Sequence, residues 1–172
     1  MQTLTNEPLS RHTTLRVGGP ARRFVIAESE TEIIDTIRRC DDSSEQLFIL
    51  GGGSNVVSSD SVFEGTVFQI ATKGMQQEIA ACAGAAVTVA AGEIWDDFVA
   101  HAIAHDWSGI EAMSGIPGTI GATPVQNVGA YGQDVSQTIA RVRAYDRLAR
   151  ETRTFYFDSC KFGYRTSVFK AY

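Results

Sequence analysis

The sequence predicts an α+β fold of two lobes, and the order of its elements carries this prediction. Residues 23–50 read as strand, helix and strand, the pattern of a βαβ unit with parallel strands and a right-handed crossover. The later part of the chain reads mostly as hairpins with a single strong helix. With 172 residues, 44% of them hydrophobic, the chain is long enough for two small lobes. We expect lobes of residues 1–72 and 73–172, with a boundary near residues 71–75.

Three short apolar runs predict the strands of the first lobe. They are residues 23–27, 47–50 and 67–70, each rich in β-branched or aromatic side chains. The helix between the first two runs begins at a capping-box pattern, SETE at residues 29–32. Its periodicity predicts that it ends near residues 38–39.

The second lobe is predicted to hold two hairpins and an amphipathic helix. Residues 79–91 read as one hairpin with a turn at Gly84, and residues 138–146 and 152–157 read as the strands of another. Apolar residues from Ile94 onward repeat at helical spacing. The apolar stripe of this helix is expected on Phe98, Ala102 and Ile103.

Composition and charge exclude several classes of protein. The formal net charge is −5 and no strong basic cluster is present, which argues against a nucleic-acid partner. The sequence contains no apolar run of about eighteen residues that would predict a membrane span. Its N-terminus lacks the apolar core of a secretory signal, so we expect a cytoplasmic protein. The sequence is silent on oligomeric state.

The cysteine and histidine spacings do not predict a metal site. Cys40, Cys82 and Cys160 are odd in number and widely spaced, so we interpret them as structural thiols. His101 and His105 lie four residues apart on the predicted helix, but no Glu follows the first of them as in a metalloprotease motif. We expect the two histidines to flank the apolar stripe near solvent.

A glycine-rich loop follows the second predicted strand. Residues 51–55 read GGGSN and lie at the carboxyl end of a parallel strand, where ligands of open α/β sheets bind. Consecutive glycines let several backbone N–H groups point at one phosphate, and Ser54 and Asn55 add side-chain hydrogen bonds. The alternative is a tight turn that needs positive φ. The loop matches neither a P-loop nor the dinucleotide fingerprint.

A long irregular stretch, residues 114–132, is the second candidate ligand-binding segment. It reads SGIPGTIGATPVQNVGAYG, with too much glycine and proline for regular structure and no charged residue. Such backbone can lie flat against a planar or phosphorylated ligand, with neutral polar side chains that grip a ring. These side chains are Thr119, Thr123, Gln126 and Asn127. The alternative is a buried connector, although long loops in compact domains are usually functional.

Tyr164 and Arg165 form a third candidate, because an Arg beside aromatic residues can bind a carboxylate through two parallel hydrogen bonds. The alternative is an ordinary surface Arg on a helix that starts at Asp158. The local pattern leaves both interpretations open.

Together these motifs resemble one family, UDP-N-acetylenolpyruvoylglucosamine reductase, also called UDP-N-acetylmuramate dehydrogenase. The three main motifs are LGGGSN at 50–55, IPGTIGATPVQNVGAYG at 116–132 and CKFGYRTSVFK at 160–170. HTTLRVGGPA at 12–21 and AGEIWDDFV at 91–99 extend the match over nearly the whole chain. Several long motifs in the same order are far more specific than a single glycine loop.

The resemblance implies a two-lobed FAD-binding domain of the vanillyl-alcohol-oxidase type, with FAD between the lobes. It also implies NADPH as hydride donor and a UDP-sugar enolpyruvyl ether as substrate, in peptidoglycan synthesis. Arg165 matches the family's catalytic Arg, and Tyr164 and Arg165 would bind the substrate. The residues implied to bind FAD are Leu50, Gly51, Gly52, Gly53, Ser54, Asn55, Ile116, Pro117, Gly118, Thr119, Gly121, Ala122, Thr123, Gln126, Asn127, Gly129, Ala130, Tyr131 and Gly132.

The chain departs from the family pattern in two ways. Family members continue into a C-terminal substrate domain that carries a proton-donating serine and a late glutamate, which have no counterpart in these 172 residues. Ser167 belongs to the YRTS motif and is not that serine. At Ala122 and Thr123, where many relatives carry two small hydroxyl residues, only Thr123 does so. We therefore expect the FAD-binding part of the reductase, inactive alone; the alternatives are a non-catalytic flavin-binding module or another oxidoreductase of the same fold.

Overall fold

The computed structural model describes residues 1–80 and 84–170. Contacts divide the chain into two compact units, each with a hydrophobic core of its own. The first unit is Met1–Thr72 with Arg147–Glu151, and the second is Lys73–Asp146 with the residues from Thr152 onward. No helix among the described residues is both long and apolar enough to cross a membrane.

The first unit is built on a four-stranded sheet. Its strands are β1 (Gln2–Pro8), β2 (Pro20–Ala27), β3 (Leu47–Leu50) and β4 (Phe63–Ile70), in the spatial order β1-β2-β4-β3. β4 pairs in parallel with both β2 and β3, whereas β1 pairs antiparallel with β2. The three predicted strands are present, but the two strands of the predicted βαβ unit do not pair with each other, because β4 lies between them.

Helix α1 (Glu30–Asp42) connects β2 to β3. The predicted cap is confirmed, because the Ser29 hydroxyl accepts a hydrogen bond from the Glu32 backbone N–H at 3.3 Å. The helix runs beyond the predicted end at residues 38–39. It stops where the Ser43 hydroxyl donates to the Arg39 carbonyl at 2.8 Å, which satisfies one of the last unpaired carbonyls.

The second unit combines short two-stranded sheets with one main helix. Its elements are β5 (Met75–Ala80), β6 (Gly84–Val89), α2 (Trp95–Ala104), β7 (Gly129–Ala130), β8 (Gln133–Asp134), β9 (Arg141–Asp146), β10 (Glu151–Tyr156) and α3 (Phe157–Cys160). The predicted hairpins correspond to the pairs β5–β6 and β9–β10. The first of them begins earlier than predicted, at Met75. The predicted turn at Gly84 is wrong, because Gly84 is the first residue of β6 and pairs with Ala80; residues 81–83 lie outside the described residues.

Helix α2 buries part of the predicted stripe: Ala102 is in the core and Phe98 packs against it. Trp95, Val99 and Ala102 face the core, whereas Ile103 is 50% exposed, so the prediction for Ile103 is wrong. The reason is tertiary, because the face of a helix that meets the core depends on partners distant in sequence; one of them is the Met113 carbonyl, which accepts from the Trp95 indole N–H at 3.0 Å.

Two of the cysteines are buried, and two of the histidines stack on each other. Cys40 and Cys160 are buried free thiols, and burial raises the pKa of both, which keeps them protonated and unreactive. Cys82 lies outside the described residues. The rings of His101 and His105 stack at 4.1 Å. No group of three His, Cys, Asp or Glu within residues 1–80 and 84–170 is arranged to hold a metal ion.

Candidate functional site

The glycine loop of the first unit follows β3 directly and packs against an earlier segment. The Thr14 N–H donates to the Gly53 carbonyl at 3.0 Å. A Cβ on Gly53 would lie 1.9 Å from the His12 carbonyl oxygen, and φ of Gly53 is +69°. Both facts exclude a larger residue, so this glycine is already explained by internal packing. Leu50, at the end of β3, is buried in the core beneath the loop.

Part of this loop is exposed to solvent. Gly51 and Ser54 are partly exposed, and Gly52 and Asn55 are exposed. No acceptor among the described residues takes the backbone N–H groups of Gly51, Gly52 or Gly53. Successive unpaired N–H groups at the end of a strand suit an anion such as a phosphate. The loop therefore fits the phosphate-holding role expected from its sequence.

The first part of the 114–132 stretch is attached to the start of α2. The Trp95 N–H donates to the Gly118 carbonyl at 3.0 Å. The Asp96 carboxylate accepts from the Gly115 N–H at 2.6 Å and from the Ser114 hydroxyl at 3.0 Å. Thr119 also forms a short antiparallel bridge with Ile94, so this part of the stretch is attached to the start of α2. Ser114, Gly115 and Pro117 are exposed, so this part of the stretch is not the buried connector of the alternative interpretation.

The predicted cofactor-lining residues of this stretch differ in exposure. Gly121 is required internally, because a Cβ there would lie 2.7 Å from the Cβ of Ala91. The Thr123 hydroxyl is buried and donates to the Ile120 carbonyl at 2.9 Å. The exposed members are Pro117, Gly121 and Ala122, the partly exposed members are Ile116, Gly118, Thr119 and Gln126, and the buried members are Thr123 and Asn127. Contact of any of these with a cofactor stays a prediction.

The end of the stretch opens into a cleft of the second unit with a volume of about 300 Å³. It brings together two motifs that are distant in sequence, the turn at residues 129–132 and the Tyr164–Arg165 pair. The lining residues are Asn127, Gly129, Ala130, Tyr131, Gly132, Gln133, Asp134, Tyr164 and Arg165. Sequence reasoning proposed these two motifs as ligand contacts separately, and the structure places them in one site.

The wall of the cleft is a tight hairpin, β7–β8, with Tyr131 and Gly132 at its tip. Both tip residues have positive φ, +51° and +84°, as a two-residue type I′ turn requires. Gly129 is excluded from substitution by the pairing itself, because its Cβ would lie 2.6 Å from the Gln133 carbonyl. The turn leaves the Tyr131 ring 93% exposed at the edge of the cleft.

Arg165 lies in a turn rather than on a helix. α3 ends at Cys160, so the alternative of a surface Arg on a helix that begins at Asp158 is excluded. The Arg165 guanidinium donates to the Gly129 carbonyl at 2.5 Å. The Arg165 backbone carbonyl accepts from the Lys170 ammonium at 3.0 Å. One side of the guanidinium is therefore held by the β7–β8 hairpin, which leaves other donors of the fork for an anion.

Two lining residues, Gln133 and Asp134, were missed from the sequence. The Gln133 amide oxygen accepts from the Ala112 N–H at 2.8 Å, and the Asp134 carboxylate accepts from the Ser136 N–H at 3.1 Å. Both directly follow the Tyr131-Gly132 pair. Recognising that pair as a hairpin turn would have predicted a returning strand at residues 133–134.

Comparison with known proteins adds family information to this geometry. A sequence family described as an FAD binding domain matches residues 21–152. The UDP-N-acetylenolpyruvoylglucosamine reductase of Cutibacterium acnes is 56% identical over 164 residues, which are 95% of this chain and 44% of that protein. The reductase of the same name from Thermobifida fusca is 50% identical over 96% of this chain and 46% of that protein.

A solved structure shares the fold. The crystal structure of UDP-N-acetylenolpyruvylglucosamine reductase (MurB) from Thermus caldophilus aligns with a TM-score of 0.74, over 96% of this chain and 56% of that chain. Sequence identity in this alignment is 24%. The chain therefore spans less than half the length of these curated relatives and just over half of the solved chain.

Proposed function

The chain belongs to the FAD-binding domain family and is homologous to the amino-terminal, FAD-binding portion of UDP-N-acetylenolpyruvoylglucosamine reductases; on this premise we propose what the portion does. It is the flavin-binding part of an enzyme that uses NADPH to convert UDP-N-acetylglucosamine enolpyruvate to UDP-N-acetylmuramate in cytoplasmic peptidoglycan synthesis. The observation that carries the proposal is the cleft in which the residue 129–132 turn meets Arg165.

The two glycine-rich segments are proposed to hold different parts of FAD. The N–H groups of Gly51, Gly52 and Gly53, together with Ser54 and Asn55, would bind the pyrophosphate, since these N–H groups have no partner among the described residues. The segment from Ile116 to Gly132 would lie against the flavin. FAD, when bound, supplies hydride transfer between NADPH and the substrate.

Arg165 is proposed as the catalytic residue of this portion. Reduction of an enolpyruvyl double bond places growing negative charge on the substrate carboxylate. A guanidinium already fixed by the Gly129 carbonyl would stabilise that charge without reorganising, which favours the transition state over the ground state. Tyr164, 94% exposed beside Arg165, would contact the same substrate.

Titration with FAD tests this proposal. The purified chain is expected to bind FAD and to show the visible absorption of a bound flavin. Gly52→Asp introduces a carboxylate beside the proposed pyrophosphate site, so its dissociation constant for FAD should rise by about tenfold or more. Ser59→Asp adds the same charge at an exposed position further along the same unit and serves as the control.

The outcomes separate the alternatives. No FAD binding by the unsubstituted chain would contradict the proposed function. Equal weakening by Gly52→Asp and Ser59→Asp would remove the glycine loop from the pyrophosphate site. FAD binding combined with failure of NADPH to reduce the flavin in a protein that contains the whole reductase length would favour a non-catalytic flavin-binding module.

A further inference from the structure

The Asn127 side chain lies where three segments of the second unit meet. It is 5% exposed. Its amide nitrogen donates to the Gly163 carbonyl at 3.1 Å, and its amide oxygen accepts from the Ser136 N–H at 3.1 Å. Both functional ends of the amide are therefore engaged within the protein. Contact of Asn127 with a cofactor stays a prediction.

The Gly163 carbonyl belongs to the turn that carries Tyr164 and Arg165. Gly163 and Thr166 form a short bridge, with N–H to carbonyl distances of 3.1 and 3.3 Å, and the other two residues lie between them. Tyr164 and Arg165 are both exposed, so little packing defines the turn. Its orientation depends on the few hydrogen bonds that anchor it to neighbouring segments.

Asparagine satisfies three requirements at position 127. The backbone has φ of +46°, a left-handed conformation that asparagine tolerates better than most residues. The same side chain must also donate to Gly163 and accept from Ser136. Glycine would keep the backbone and lose both bonds. Aspartate would keep the acceptor, but its second oxygen would face the Gly163 carbonyl.

We propose that Asn127 is a positioning residue, which fixes the turn that presents Tyr164 and Arg165 to the cleft. The Asn127–Gly163 hydrogen bond fixes the position of the turn backbone, and the Arg165–Gly129 hydrogen bond fixes the orientation of the guanidinium. The geometric part of this inference stands on the hydrogen bonds alone. Its consequence for ligand binding rests on the proposed function.

Amide hydrogen exchange tests the positioning role directly. Protection factors of the Gly163 and Thr166 amides report whether the turn is formed. Asn127→Gly should lower both by about tenfold at every pH, because the hydrogen bond to the Gly163 carbonyl, which anchors the turn, is lost. Asn127→Asp should lower them at pH 7.5 and restore them in acid, because a protonated carboxyl regains a donor for the Gly163 carbonyl.

The surroundings set where that restoration occurs. The Asp134 carboxylate and the Asn127 amide oxygen both accept from the Ser136 N–H. In Asn127→Asp the introduced carboxylate would therefore be repelled by Asp134, and both this repulsion and burial would raise the pKa of the introduced carboxyl. Arg165 is a cation that lines the cleft, and it would lower the pKa of the introduced carboxyl. The return of protection with falling pH distinguishes loss of a specific donor from general loosening of the loop.

A matched control and a flavin titration complete the experiment. Thr123→Val deletes a buried hydroxyl bond in the same loop and should leave the Gly163 and Thr166 amides protected. Unchanged protection of the turn in both Asn127 variants, or an equal loss at the Val99 amide of α2, would overturn the inference. FAD titration of the same variants tests the proposed function independently. Failure of the unsubstituted chain to bind FAD would contradict the proposed function, whereas the exchange data would still test the role of Asn127.

Discussion

Three residues that line the cleft adopt left-handed backbone conformations without being glycine. Asn127, Tyr131 and Arg165 have φ of +46°, +51° and +52°. For tyrosine and arginine this conformation costs roughly 1 kcal/mol or more each, and such strain concentrates at functional sites because the surrounding structure can hold it. In each case the turn sets the direction of the side chain. The same conformation also occurs outside the cleft, for example at Arg16 and Arg150, so it fixes the direction of these side chains rather than locating the site.

Arg165→Ala is the most direct residue-level prediction. In a protein that contains the whole reductase length, turnover of the enolpyruvyl substrate should fall by roughly 10²- to 10³-fold, the loss typical of one transition-state donor. The absorption spectrum of the bound flavin should stay the same. Steady-state kinetics measure the first effect, and Arg141→Ala, an exposed cation on β9, is the control. Wild-type turnover in Arg165→Ala would exclude a catalytic role.

At the level of elements, the carboxyl end of α1 is stabilised by ion pairs with residues that are distant in sequence. Asp41 and Asp42 end the helix, where the helix dipole disfavours negative charge. Arg147 contacts Asp41 at 2.5 Å and Arg150 contacts Asp42 at 2.7 Å. Both arginines belong to the β9–β10 connection, which is part of the first unit. The two ion pairs compensate an arrangement that would be unfavourable in the helix alone.

The Arg147–Asp41 pair predicts a salt-dependent contribution to stability. Arg147→Gln should lower the free energy of unfolding by at most about 1 kcal/mol at low salt, because the pair is partly exposed. The difference should shrink at high salt, where screening weakens the pair. Denaturant unfolding at two salt concentrations measures it. Arg11→Gln, which removes a more exposed contact of 3.6 Å to Glu7, should change stability less.

The Asp42 pair should also show in the acid dependence. The hydrogen bond from Arg150 lowers the pKa of Asp42 below its ordinary value. A lowered folded-state pKa means that the stabilisation is complete above the ordinary pKa and disappears as pH falls through the folded one. In Asp42→Asn the free energy of unfolding should therefore fall less steeply with falling pH in this acid range. Its pH dependence near neutrality should not change.

At the scale of the whole molecule, two units with separate cores carry the two glycine-rich segments. The 51–55 loop belongs to the first unit and the 114–132 stretch belongs to the second. Residues 147–151 belong to the first unit and interrupt the second, so neither unit is a continuous piece of sequence.

Binding of FAD should raise thermal stability by mass action. At a free FAD concentration of about 100 times the dissociation constant, the native state gains roughly 2.7 kcal/mol. For a chain of this size that corresponds to a rise in Tm of roughly 5 to 11 °C. Thermal unfolding with and without FAD measures the shift. Gly52→Asp at the same FAD concentration should show a smaller rise, and an unchanged Tm at saturating FAD would contradict specific binding to the native chain.

Much of the local structure follows from the sequence by itself. The strands around residues 23–27 and 47–50, the Ser29 cap and the position of α2 depend on periodicity and neighbouring residues, and all are present. The family is likewise readable from long motifs, which matching relatives confirm. Chemistry that depends on residue type and short spacing is visible before any fold is known.

Only the tertiary structure decided how these pieces meet. It inserted β4 between β2 and β3, turned Val99 rather than Ile103 into the core, and brought Arg165 to the carbonyl of Gly129. It also showed that Gly53 and Gly121 are required by contacts with His12 and Ala91, so glycine there need not signal a ligand. The physical reason is common to all of these: pairing order, burial and close approach depend on partners far away in sequence, which no local pattern specifies.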